Sequence, residues 1–150
     1  MDNPNVDQHA AKLASLVFDL LANCQEKETR MAAVHGLTHS EFRCLRFLKD
    51  MPEATNKKLA EKMDLTPGRL TRILDGLARK KFMSRKPRVN DRRTVEIQLT
   101  SKGNALLERL EIDSIQAHKE ILESMSIPHE ELVGGMEVFL CSVKDWLNKT

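Results

Sequence analysis

Between Met83 and Gly103 the chain reads MSRKPRVNDRRTVEIQLTSKG, with Arg85, Lys86, Arg88, Arg92 and Arg93 crowded into its first half. Guanidinium groups are planar, permanently charged and carry their donors as a rigid fork, while lysine adds a compact point charge. That chemistry is anion recognition. Asp91 stands two residues before Arg93, where a carboxylate can hold the guanidinium by a bidentate pair; with Asn90 it can equally shape a turn by bonding its own backbone. The returning segment alternates Val95, Ile97 and Leu99 with Glu96 and Gln98, the period-two pattern of a half-buried strand. The cations therefore belong at the tip of a short β-ribbon.

A second set of donors lies upstream. Leu70, Ile73, Leu74 and Leu77 form one apolar stripe at helical spacing, and the opposite face carries Gly68, Arg69, Arg72, Asp75, Gly76 and Arg79. The elements that must position both groups announce themselves by their boundaries. Gln8 to Val34 reads as a first helix, with Leu13, Leu16, Val17, Leu20, Leu21 and Cys24 in register and Gly36 ending it. Thr38 and Glu41 make a capping box, with Leu37 and Phe42 at the staple positions, opening a second helix that runs to about Lys49. After a break at Met51-Pro52-Glu53, Thr55 caps a short third helix, Asn56 to Met63, and Asp64 and Leu65 turn the chain. Thr66 caps the fourth helix, with Pro67 at its first position, where a missing N–H costs nothing. A short capped helix, a tight turn and an amphipathic helix with a basic outer face follow the order of a helix-turn-helix, whose second helix enters the DNA major groove. The ribbon that comes next adds a wing.

Composition agrees with this reading. The chain of 150 residues, 41% hydrophobic and 31% charged, suits one globular domain with its own core. No apolar run approaches the ~20 residues of a membrane span, and the N-terminus lacks the layout of a secretion signal, so a cytoplasmic location is expected. The formal net charge is only +2, but residues 55–93 hold thirteen Lys and Arg against four Asp and Glu, a local net of +9 that leaves −7 for the remainder. A basic block in an otherwise acidic chain is the electrostatic footprint of a nucleic-acid binder.

The segment from Leu59 to Gly103 resembles the MarR family of bacterial and archaeal transcription regulators, whose wing carries D-x-R followed by a V-x-L-T-x-x-G run. Asp91, Arg93, Ile97, Leu99, Thr100 and Gly103 carry the likeness. It implies a mainly α fold with a small β-ribbon, a winged helix-turn-helix over about residues 37–100, and dimerisation helices at 8–35 and 101–148, all in one MarR-like domain. It also implies a sequence-specific, DNA-binding transcriptional regulator, a repressor released by a small-molecule effector, that binds a pseudo-palindromic operator on double-stranded DNA as a homodimer. On this reading Arg93 enters the narrow minor groove, where the potential favours a guanidinium, and Asp91 orients it. Arg85, Lys86, Arg88 and Arg92 contact phosphates, Arg69 and Arg72 reach base edges, and Gly68 and Thr71 come close to the DNA. Arg79, Lys80 and Lys81 either touch DNA or serve the helix dipole. Lys81 stands where the family usually has a glycine, so the helix ends there in a strained turn or ends differently.

Two C-terminal helices, with Leu106, Leu107, Leu110, Ile115, Ile121, Leu122 and Met125 on one and Leu132, Val133, Met136, Phe139, Leu140, Val143 and Trp146 on the next, offer more apolar surface than one small core needs. A dimer interface is the expected use, with Gly134-Gly135 permitting close helix packing. The family resemblance places a small aromatic or phenolic effector in a cleft beside the reading head, with Cys24, His35, His39 and Arg43 as candidate contacts. An odd three cysteines at wide spacing exclude a disulfide framework; their default state is reduced and buried, and a thiol-responsive regulator using Cys24 or Cys44 is the alternative. His118 is followed by Leu122 where the family's zinc-sensing branch has a second histidine, and His35 and His39 straddle Gly36 and Thr38, so neither a metal nor a cofactor is expected. No catalytic arrangement appears, which leaves a winged-helix interaction module without DNA binding as the remaining rival.

Overall fold

Capping chemistry fixes most element boundaries in the computed structural model, which describes residues 4–51, 54–87 and 95–149. The chain divides into two compact units, residues 1–111 and 112–150. In the first unit, α1 (Pro4–Val34) begins four residues before the expected start, because proline suits a first helical position and Asp7 in the first turn complements the dipole. Gly36, at φ +68°, ends it: the N–H groups of Gly36 and Leu37 donate back to the carbonyls of Ala33 and Ala32 at 3.0 and 2.9 Å. Next comes α2 (His39–Lys49), opened by the expected capping box. Glu41 N–H donates to Thr38 Oγ1 at 3.1 Å and Thr38 N–H donates to Glu41 Oε2 at 2.8 Å. Both staple residues, Leu37 and Phe42, are buried.

After α2 come α3 (Asn56–Met63) and α4 (Pro67–Arg79), with Thr55 and Thr66 as their N-caps. The sheet has three strands rather than the two of a bare ribbon: β1 (Ala54–Thr55), β2 (Met83–Pro87) and β3 (Val95–Leu99), antiparallel in the order β1-β3-β2. Two residues are too few for a periodicity, and Thr55 ends β1 while also capping α3. In the ribbon Met83 pairs with Leu99, Arg85 with Ile97 and Lys86 with Glu96.

The core of this unit joins Phe42, Leu45 and Leu48 of α2 to Leu59 and Met63 of α3, Leu70, Leu74 and Leu77 of α4, and Ile97 of β3. Burial of each such side chain contributes roughly 2 kcal/mol. The first turns of α5 (Ser101–Glu123) belong here too. Leu106, Leu107 and Leu110, expected at a dimer interface, are buried in this core instead. The reason lies at the start of α5, where a Cβ on Gly103 would collide with the Phe82 carbonyl and Thr100 ties the helix to the ribbon base. That contact turns the leucine face inward.

In the second unit the remainder of α5 leads to α6 (His129–Lys149), which has no buried residue. Ile112, Ile115 and Ile121 are exposed, as are Val133, Met136, Leu140, Val143, Trp146 and Leu147. Among the described residues nothing lies within 4 Å of a Cβ added to Gly134 or Gly135. The expectation that all three cysteines are buried holds for Cys44 alone; Cys24 is half-buried and Cys141 exposed, because both sit on helix faces that a single chain leaves uncovered. No helix among the described residues is long and apolar enough to cross a membrane.

Candidate nucleic-acid interface

Helix α4 is framed at both ends by backbone chemistry. Asp64 takes a left-handed conformation, φ 53° and ψ 51°, which asparagine and aspartate tolerate better than most residues; with Leu65 N–H on Ala60 O at 2.9 Å it makes the tight turn. Thr66 Oγ1 then accepts the N–H of Arg69 at 3.4 Å. At the other end Lys81 adopts φ 63°. The strained turn is therefore the one realised: Phe82 N–H reaches Leu77 O at 3.0 Å and Lys81 N–H reaches Ala78 O at 2.9 Å, the paired closure that a glycine usually makes.

Between these ends Gly68, Arg69, Thr71 and Arg72 are all exposed, on the face expected to meet DNA. Thr71 Oγ1 donates to Pro67 O at 2.9 Å, which leaves the hydroxyl oxygen as an acceptor. Among the described residues nothing stands within 4 Å of a Cβ on Gly68. Arg79 is exposed as well, and Lys57, Lys58 and Lys62 extend the basic surface along α3. Gly76 departs from expectation. It is buried rather than on the outer face, because the Glu41 carboxylate occupies the space a Cβ would need.

Glu41 thus does more than cap α2. It is a buried carboxylate, and Lys80 Nζ donates to its Oε2 at 2.6 Å and to Gly36 O at 2.8 Å. Lys80 therefore serves the junction of α1, α2 and α4 rather than a DNA phosphate. The signal that could have found this was the interior glycine itself, since Gly76 costs about 1 kcal/mol relative to alanine in a helix and so calls for a close neighbour. A similar knot explains the L-T-x-x-G run. Thr100 Oγ1 donates to Lys81 O at 2.7 Å and accepts Gly103 N–H at 3.0 Å, while Thr100 N–H donates to Phe82 O at 3.1 Å. One threonine closes α4, starts α5 and seats the ribbon.

On the ribbon Lys86 is exposed, while Arg85 Nη2 donates to Asp75 Oδ1 of α4 at 2.8 Å. Arg88, Asn90, Asp91, Arg92 and Arg93 lie outside the described residues.

The candidate effector contacts are placed as follows. Cys24 is half-buried on α1, and His35 follows that helix's end. His39 Nε2 lies 3.0 Å from Glu28 Oε2, whose other oxygen accepts from Arg46 Nη1 at 3.3 Å. Arg43 is exposed, with its guanidinium 5.8 Å from the centre of the Phe47 ring. A cavity of about 290 Å³ between α2, β3 and α5 is lined by Leu48, Lys49, Met51, Ile97, Gln98, Leu99 and Asn104, and by none of those four. Cys44 is fully buried, and burial, then the neighbouring Glu41 carboxylate, pushes its pKa up to about 12, which opposes formation of the thiolate, the reactive species.

The MarR family model matches residues 37–95, from the staple of α2 into the ribbon. The chain is 28% identical to the HTH-type transcriptional repressor YetL of Bacillus subtilis over 130 residues, 85% of this chain and 78% of that protein. It is 32% identical to the HTH-type transcriptional regulator MhqR of the same organism over 108 residues, 72% of this chain and 69% of that one. Its fold is like that of a mutant MarR from E. coli crystallised with operator DNA, with a TM-score of 0.71 at 24% identity, over 90% of this chain and 95% of the other. With the capped helix pair, the three-stranded sheet and the threonine knot all on the matched stretch or at its edge, the chain belongs to the MarR family of transcriptional regulators.

Proposed function

We propose that this protein is a sequence-specific repressor that binds a pseudo-palindromic operator on double-stranded DNA as a homodimer and leaves it when a small aromatic or phenolic effector binds. The observation that carries the reading is the exposed pair Arg69 and Arg72 on a helix clamped at both ends. Arginine bidentate to guanine is the commonest specific contact in the major groove. Lys86, and Arg88 and Arg92 beyond it, neutralise phosphates, and Arg93 enters the minor groove with Asp91 holding its fork. The +9 block of residues 55–93 favours a polyanion over a protein partner. A complex of this fold with operator DNA gives a precedent for the docking. The dimer rests on uncovered apolar residues, Leu13, Leu16, Phe18 and Leu21 on α1 and, in the other unit, Leu140, Val143 and Trp146 on α6. Two-fold pairing of such heads sets half-sites about 34 Å apart. Release by an effector follows the family, and the work takes place in the cytoplasm.

Gel shifts with a pool of random duplexes at rising salt test the reading. Binding is expected at low salt, with log K falling linearly against log salt by about 0.9 per neutralised phosphate. Failure to shift any duplex at low salt would falsify it. Arg93→Ala is expected to weaken the selected duplex by about tenfold, as befits the ~1 to 3 kcal/mol of a groove contact.

A further inference from the structure

Asp75 is an exposed carboxylate on the face of α4 that also carries Arg69, Arg72 and Arg79. On a surface meant for phosphates such a charge repels the ligand unless a cation holds it. Arg85 does so, at 2.8 Å. The strand explains why this arginine is at hand. Successive side chains of a strand take opposite faces, so Arg85 shares the face of Met83, which is buried, and stands opposite buried Ile97. Lys86 takes the other face with Ser84 and pairs across to Glu96. Arg85 is directed at α4, not outward.

The ribbon is already tied at its base, where Met83 is buried and Thr100 bonds Lys81 and Phe82. The ion pair ties it a second time, two residues further out. One tie fixes a point and two fix a direction. We propose that Asp75 and Arg85 form a strut that sets the angle of the wing to the reading helix, so that both are positioning residues for operator recognition and Arg85 is not a phosphate contact. This rests on the DNA-binding reading above. Holding the wing in its bound direction lowers the ordering cost of binding, and the effect is one of geometry rather than of counterion release.

The test uses the duplex that the full-length wild-type protein selects from a random pool, titrated at several salt concentrations, with melting curves recorded alongside. Asp75→Ala and Arg85→Ala are each expected to weaken binding about fivefold, the size of an exposed ion pair, with the salt slope unchanged. The double variant should be no worse than either single one, and the swapped Asp75→Arg/Arg85→Asp variant should recover to within about twofold of wild type. If Arg85→Ala lowers the slope by about 0.9 per protomer while Asp75→Ala tightens binding, Arg85 is a phosphate contact and the strut is overturned. Additive losses in the double variant overturn it as well. A wild-type protein that selects no duplex overturns the DNA-binding reading itself, and the strut with it.

Discussion

Cys44 is the residue whose chemistry the fold changes most. In the sequence it is, with Cys24, one of two cysteines open to a redox role; in the structure it is fully buried in the core beside Glu41. A thiol whose pKa rises from its ordinary 9.0 to about 12 favours the folded state only while protonated. Its contribution is complete below pH 9.0 and is lost as pH climbs through that window. Wild-type stability should therefore fall between about pH 9 and 12 by up to about 1.4 kcal/mol per pH unit more steeply than that of Cys44→Ala, as urea unfolding at a series of pH values would show. Parallel pH profiles for the two proteins would mean that the thiol ionises without penalty.

At the scale of elements, what could be read in advance followed local rules. The Thr38–Glu41 box, the Thr55 and Thr66 caps and the turn at Asp64 are contests between neighbouring atoms, and the sequence contains every contestant. What escaped depends on distant partners. The apolar stripe of Leu106, Leu107 and Leu110 looks the same whether a core or a second chain covers it, because periodicity reports that a face is buried and not by what. The short β1 and the Glu41–Gly76 contact were hidden for the same reason. Of the candidate DNA-binding residues, those on α4 stand exposed as expected, whereas Arg85 is paired. The double duty of Glu41 leads to a measurable difference. Glu41→Ala removes a cap and leaves Lys80 without its carboxylate, and should cost about 2 kcal/mol. Glu41→Gln keeps an acceptor for Thr38 N–H and should cost roughly half as much. A Glu41→Gln variant as stable as wild type in denaturant titrations would reduce Glu41 to a cap, with no contribution from Lys80.

For the whole molecule the proposed dimer makes the demand. Leu140→Glu puts a charge among the exposed apolar residues of α6 and should convert a dimer into a monomer by light scattering, with DNA affinity falling about hundredfold or more as the second half-site is lost. A variant that remains dimeric would move the interface elsewhere. That α6 buries no residue in a single chain also bears on dosage. A helix with no core of its own folds as it associates, so the melting temperature should climb with protein concentration. At low copy number, paired heads form in proportion to the square of the monomer present. Operator occupancy would then follow expression level more steeply than linearly, and a cell could switch the target gene by a modest change in how much of this chain it makes.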